Sequence, residues 1–390
     1  MRPTTSIILS LGDVFRTYLG RDGGWDAIDR IRMAEARRIE KIMIRAPNWV
    51  GDAVMAASAI RYLRAVFQSA RITLVCRPVV AGLFESEGFV DEVFVTQGRS
   101  FGGLLRDGRT LRRSSFDLSV LLPNSAESAL LARLAGARFI VGYPTDWRRP
   151  LLTHSIPLTV EFKAKHQVDY YLNLVSAVAQ RFCGEATRPA RDRLPRLSAS
   201  NSEKDRAAEL LGQFDVDSES IRLLIICPGA TNSRAKRWLP ERFAGVADRF
   251  AALGFQPVIV GSPGDVAVAN EVAALIKTSA VMLAGKTDLS TLKGVLSRAA
   301  VAVSNDTGTA HVAAALGIPT VVVFGPTEHF STRPISELCE VVRHEVACSP
   351  CMLRDCPIDH RCMTAVTVDE VYNSAVKLMG LGITTIPGNA

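Results

Sequence analysis

The sequence predicts an α/β protein built of two halves, each alternating strand and helix, joined by a linker. Three observations carry this. Short β-branched and apolar runs recur at intervals that leave room for a helix between them. A chain of 390 residues is long for one core and comfortable for two. A Pro- and Arg-rich stretch, Thr187 to Leu197, interrupts the alternation midway.

Residues 1–40 read as an appendage, because Ile28 to Glu40 is a charged helical lead-in and no strand pattern precedes Lys41. Its Leu11-Gly12-Asp13 only imitates the better motif at Gly51-Asp52. The first half, 41–186, opens with a buried strand, Ile42 to Ile44, a polar turn, and a helix with apolar positions at Val54, Ala57, Ile60, Leu63 and Phe67. Strand patterns follow at Ile72 to Val75, Glu92 to Val95, Leu118 to Leu122, Phe139 to Gly142 and His154 to Pro157, and residues 163–182 form an amphipathic helix. After a linker at 187–200, the second half, 201–390, starts with helix Glu203 to Phe214 and strand Leu223 to Cys227. Strand Gln256 to Val260, helix Val266 to Ile276, a short strand near Val281 and helix Leu289 to Ala299 come next. Val301 to Gly325 then reads as strand, turn, short helix and parallel strand, and Val368 to Met379 as a closing helix.

Hydrophobic content of 48% with 22% charged residues is globular, and no apolar run spans a bilayer. No signal peptide of the usual form precedes the body, and eight cysteines at uneven spacing favour a reducing cytoplasm over a disulfide framework. The net charge of +7 is divided unevenly: 26 Lys and Arg against 18 Asp and Glu in residues 1–190, and 20 against 21 in residues 191–390. A basic first half suits an anionic partner or is simply a solvated surface. Arg99, Arg106, Arg109, Arg112 and Arg113, gathered between two predicted strands, present the same two alternatives.

The chemistry-bearing residues fall where predicted strands end. Asp52 sits in the first turn of a helix, on the edge where an α/β sheet keeps its ligands, and either caps that helix or takes a proton. The loop from Pro228 to Pro240 offers Thr231, Asn232 and Lys236 beside Gly229, chemistry suited to a diphosphate though without the spacing of a P-loop. Asp265 follows a tight turn and either meets a ribose hydroxyl or caps a helix. Asp306, Thr307 and Gly308, with His311 one turn on, occupy a strand-to-helix turn whose free N–H groups and helix dipole suit a phosphate. No GxGxxG follows a strand, which disfavours a dinucleotide dehydrogenase, and Asp215-Val216-Asp217 reads as a surface turn. Cys348, Cys351, Cys356 and Cys362, with His360 among them, have metal-like density but no standard spacing. Structural zinc, an iron–sulfur cluster and free or redox-paired thiols all remain open.

Asn48-Trp49-Val50-Gly51-Asp52, Pro228-Gly229-Ala230 with Lys236-Arg237-Trp238, Ser304 to Gly308 with His311, and Gly325-Pro326-Thr327 occur in this order. In these pieces the chain, over about residues 41–380, resembles the lipopolysaccharide heptosyltransferases of glycosyltransferase family 9. The resemblance implies the GT-B architecture, two Rossmann-like domains facing across a cleft, with 41–186 binding the acceptor and 201–390 the nucleotide sugar. It further implies an inverting transfer from ADP-heptose to a heptosyl-Kdo lipid A inner core. Asp52 would be the base, Lys236 a diphosphate ligand, and Asp306 to Gly308 with His311 the donor-sugar and phosphate contacts. No cofactor is implied for catalysis, and the enzyme would work as a monomer in the cytoplasm, peripheral to the inner membrane. Arg109, Arg112 and Arg113 are then candidates for the anionic acceptor. Competing expectations are another GT-B transferase, a nucleotide-sugar epimerase, or a nonenzymatic binder of anionic lipid. Few aromatics lie among the arginines, which argues against nucleic acid.

Overall fold

The computed structural model describes residues 39–98, 100–160, 162, 165–184, 192–231 and 233–381. Strands this apolar must be covered on both faces, so they form parallel sheets with helices on either side. In the first half these are β1 (Lys41–Arg45), α1 (Val50–Val66), β2 (Arg71–Cys76), α2 (Pro78–Ala81), β3 (Glu92–Val95), α3 (Phe101–Arg112), β4 (Leu118–Leu121), α4 (Ala126–Leu134), β5 (Phe139–Gly142) and β6 (His154–Ser155). Helix α5 (Gln167–Cys183) lies back against α1. The second half continues with α6 (Asn201–Gly212), β7 (Leu223–Cys227), α7 (Pro240–Ala251), β8 (Gln256–Ile259), α8 (Val266–Leu275), β9 (Val281–Met282) and α9 (Leu289–Ser297). It ends with β10 (Ala299–Asn305), α10 (Gly308–Ala315), β11 (Thr320–Val323), α11 (His329–Thr332), β12 (Cys339–Val342), α12 (Arg361–Thr364) and α13 (Val368–Leu378).

Both sheets have six strands, ordered β3-β2-β1-β4-β5-β6 and β12-β11-β10-β7-β8-β9, with all neighbours parallel. Counted from its own first strand, each reads 3-2-1-4-5-6, so the chain uses one topology twice. In such a sheet the strand order reverses between the first and fourth strands, and the loops there diverge to leave a crevice at the carboxyl edge. The segments after β1 and β4 flank it in one half, and those after β7 and β10 in the other.

The predicted elements are present with small shifts. The strand expected over His154 to Pro157 is confined to His154–Ser155, and the helix expected to reach Ala299 stops at Ser297 because Ala299 begins β10. Besides the short helices α2, α11 and α12, a helix and a strand lie where sequence reading placed none. Pro240, read as the end of a loop, opens α7, where a first-turn proline loses no hydrogen bond, and Phe243, Val246 and Phe250 bury the helix. The edge strand β12 is only half-buried, so its pattern is weak. Residues 1–38, including Leu11-Gly12-Asp13, and 187–191 of the linker lie outside the described residues. Among the described residues no helix is long and apolar enough to cross a membrane.

The two halves are tied by more than the chain. One apolar cluster runs from Val54, Leu63 and Val175 in the first to Val295, Val312 and Ala313 in the second. Linker carbonyls of Arg193 and Leu194 accept from Ser58 Oγ and Arg61 on α1, and the Leu197 N–H then donates to Ala315 on α10. The wholly buried Lys293 on α9 donates to Ser86 Oγ at 2.7 Å and the Leu83 carbonyl at 3.2 Å. It also faces Glu203 at 3.2 Å and Glu87 at 3.7 Å.

Candidate active site

Helix α1 enters through the extended residue Trp49, which supplies no side-chain cap, so the free N–H groups of its first turn point into the crevice beside Asp52. Burial pushes the Asp52 carboxyl up to about 6, against an opposing pull from the Lys236 ammonium in the other half. The carboxylate's charge also helps raise the buried Tyr171 phenol on α5. A carboxyl held near 6 is a stronger base than a solvated aspartate, yet is mostly ionised at neutral pH.

Across from it, α10 also begins without a side-chain cap, at Thr307. The two helix starts are packed together through glycines. A Cβ on Gly51 would stand 3.0 Å from His311 Cδ2, and one on Gly308 would stand 2.6 Å from Val50 Cβ. Two positive helix ends therefore converge beside Lys236, a setting suited to an anion with several oxygens. His311 is buried in this contact, and desolvation lowers it to about 4, so it stays a neutral imidazole at physiological pH. Lys236 Nζ lies 2.7 Å from Asp306 Oδ2, which also accepts from Thr327 Oγ1 at 2.8 Å. Asp306 thus presents the ammonium to the crevice. A cavity of about 500 Å³ opens beside Thr327, lined in part by Glu328, His329, Arg343 and Glu345.

Of the residues singled out in the sequence, Asp52, Lys236, Asp306, Thr307, Gly308 and His311 come together. Thr231 and Asp265 form a neighbouring group at the end of β8. Asp265 Oδ2 accepts from Thr231 Oγ1, the Ser262 N–H and Ser262 Oγ, so the carboxylate does cap the turn. Among the described residues its Oδ1 has no hydrogen-bond partner, and it lies 4.0 Å from Arg237. Asn232 and Arg99 lie outside the described residues. Arg109, Arg112 and Arg113 are not brought to the crevice. They are exposed at the far end of α3, which leads into the amino end of β4, the opposite edge of the sheet from Asp52.

Burial, and then the nearby Cys348, Cys351 and Cys356, raise the Cys362 thiol, so the four cysteines whose spacing left zinc, an iron–sulfur cluster and free thiols open are neighbours in space. Among the described residues no three His, Cys, Asp or Glu are grouped to hold a metal. Cys362 is buried, whereas Cys348 and Cys351 are exposed, and His360 Nε2 is engaged at 2.6 Å with the Ala235 carbonyl.

Sequence reading missed Asn305 and Thr327 as individual site residues. Asn305 is fully buried, accepts from the Trp238 N–H at 2.9 Å and donates to the Pro228 carbonyl at 2.8 Å, which fixes both ends of the Lys236 loop. A buried amide between two polar turns looks like any turn residue in a sequence. Only its long-range partners disclose it.

The family model for glycosyltransferase family 9 (heptosyltransferase) matches residues 104–361. Lipopolysaccharide heptosyltransferase 2 of Escherichia coli K12 is 30% identical over 311 residues, covering 78% of this chain and 88% of that protein. The solved structure of E. coli ADP-heptose lps heptosyltransferase II superposes with a TM-score of 0.74 at 29% identity, over 87% of this chain and 98% of the other. A glycosyl transferase family 9 structure from Veillonella parvula has the same fold, with a TM-score of 0.76 at 23% identity, over 87% and 97% of the two chains. A twice-used doubly wound sheet, a basic carboxylate opposite a lysine at converging helix starts, and these similarities agree: the chain is a glycosyltransferase and belongs to glycosyltransferase family 9, the heptosyltransferases.

Proposed function

We propose that this enzyme transfers L-glycero-D-manno-heptose from ADP-heptose to the heptosyl-Kdo lipid A inner core in lipopolysaccharide core biosynthesis, with inversion at the anomeric carbon. The observation that carries the mechanism is Asp52, raised to about 6 by burial and electrostatically coupled to Lys236 in the other half. The acceptor hydroxyl attacks the anomeric carbon as Asp52 takes its proton. The new glycosidic bond forms while the bond to the diphosphate breaks, and ADP departs with that electron pair. Lys236 and the starts of α1 and α10 stabilise the charge that develops on the leaving group. For this, the diphosphate must take over the Lys236 ammonium from Asp306, and Thr327 keeps that carboxylate in place.

The two sheets are read as the two domains of a GT-B enzyme, 41–186 for the acceptor and 201–390 for the donor, with the crevices facing across a cleft. Residues Thr231 and Asp265 are assigned to the nucleoside end, and Thr307, Gly308 and His311 to the diphosphate and sugar. Arg109, Arg112 and Arg113 do not enter the assignment, because they stand on the other edge of the first sheet. We place the enzyme as a monomer at the cytoplasmic face of the inner membrane, where a lipid-linked acceptor is presented. The test is ADP release from ADP-heptose by purified protein, with and without Kdo-lipid acceptor. Acceptor-dependent release is expected, and release that ignores the acceptor, or none with either, overturns the proposal.

A further inference from the structure

In the first half, the large apolar side chains that the fold leaves exposed all lie along one edge of the sheet. Among the described residues they are Trp49, Val79, Val95, Phe101, Trp147 and Val160. Each stands at the carboxyl end of a strand or in the segment that follows one: after β1, after β2, at and after β3, after β5 and after β6. Scattered apolar exposure is ordinary, but its confinement to one edge of a sheet is not.

Trp147 is the extreme case, 97% exposed. Its loop is not loose. Asp146 and Trp147 both have left-handed backbones, with φ of 52° and 56°, a region that residues with side chains avoid. Asp146 is held by the Ala126 N–H, which donates to its carboxylate at 2.7 Å. The next residue, Arg148, is fully buried and donates to the Tyr143 carbonyl at 2.8 Å, to Ser128 Oγ at 3.0 Å and to the Pro123 carbonyl. The fold thus strains and braces a loop whose tip displays an almost wholly exposed indole. That arrangement costs stability and returns none to the folded chain, so it points outward to a partner.

We propose that the carboxyl-edge loops of the first sheet, with Trp147 after β5 as leading anchor and Val79 after β2 and Phe101 after β3 farther along the same edge, dock the enzyme on an anionic lipid surface. Indole, apolar at its body and polar at its N–H, favours the interface between hydrocarbon and water. Exposed Arg149 lies two residues from Trp147, and residues 1–190 carry 26 Lys and Arg against 18 Asp and Glu, Arg109, Arg112 and Arg113 of that excess standing on the opposite edge, so the net charge of this half still suits acidic headgroups. The apolar side chains are dispersed over separate loops rather than gathered into the continuous patch of about 800 Å² per partner that a stable protein interface needs. Dispersed anchors suffice for an interface that is itself fluid. The proposal rests on the reading of the acceptor as lipid-borne, and it adds the surface. Asp52 opens on the same edge, so docking there holds the base beside the headgroups.

Flotation of the full chain with phosphatidylethanolamine–phosphatidylglycerol vesicles tests this, with phosphatidylcholine vesicles for comparison. Wild type is expected to float with the anionic vesicles. Trp147→Ser should weaken that partition by about tenfold or more, as the loss of one buried large side chain implies, whereas Trp147→Phe should retain most of it. Phe101→Ser with Val79→Ser should weaken it too, and Leu275→Ser, an exposed leucine of the second half, should not. Activity on a deacylated, soluble acceptor should be the same for wild type and Trp147→Ser, with matching thermal unfolding. Wild type that stays with the buffer, or Trp147→Ser and the double variant floating like wild type, overturns the proposal. So does a wild-type dimer that Trp147→Ser dissociates, since the surface would then be a protein interface. Flotation needs no turnover, so a failure of heptose transfer remains distinguishable from a failure of docking.

Discussion

At the scale of single residues, Asp52 and Lys236 carry separable effects. Because Asp52 must be ionised to accept a proton and is raised to about 6 by burial, kcat/KM should climb with pH up to about 6 and level off above it. A solvated aspartate would already be level above about pH 4. Stability runs the other way. A carboxyl whose pKa is higher folded than unfolded contributes stability that is present below about pH 4 and lost as pH rises through about 6. Asp52→Asn should therefore cut turnover by about 10²-fold or more while ADP affinity is kept. The same variant should gain about 1 to 3 kcal/mol of stability at pH 8 and little at pH 4, read by urea unfolding at the two pH values. Lys236→Ala removes a charge-assisted hydrogen bond of roughly 1.5 to 3 kcal/mol. Calorimetry should show ADP binding weakened about 10- to 100-fold, and metal chelators should leave the transfer rate unchanged.

At the scale of elements, the decisive contact is the start of α1 on the start of α10. Gly308 is required there by space rather than by backbone angle, since any Cβ would fall within 2.6 Å of Val50. Gly308→Ala must push the two helix starts apart, an overpacking that costs about 1 to 3 kcal/mol. The melting temperature should fall by several degrees and transfer should slow, because Asp52 and Lys236 sit on opposite sides of the separation. An alanine variant with wild-type kinetics would show that the helix starts need not touch for catalysis.

The whole molecule is held in one arrangement by a shared apolar core and by Lys293, which has no exposed surface and neutralises Glu87 and Glu203 from different segments. A buried pair is costly to form but costlier to halve. Lys293→Met leaves two carboxylates without their cation and should destabilise by about 3 to 5 kcal/mol, visible in denaturant unfolding. Glu87→Gln or Glu203→Gln in the same background should recover part of that loss. Such recovery distinguishes a charge effect from poor packing of the methionine.

The alternation of the two halves was legible in the sequence, because a strand buried on both faces demands an unbroken apolar run and a helix demands a 3.6-residue rhythm, and both are local patterns. So was the placement of Asp52, Lys236 and Asp306 in segments that follow parallel strands, because such segments are read directly from where the apolar runs stop. Helix α7 and strand β12 were not, the one hidden behind a proline and the other too exposed to alternate cleanly. Which groups meet was decided only by the tertiary structure. The spacing of Arg109, Arg112 and Arg113 says nothing of which end of the sheet they reach, and the spacing of the four cysteines does not say what their proximity in the fold is for. Asn305, Gly308 and Lys293 likewise acquire their roles from partners about 70 to 260 residues away. The basicity of Asp52 arises from burial that exists only in the folded chain, because desolvation is a property of the assembled surroundings and not of the neighbours along the chain.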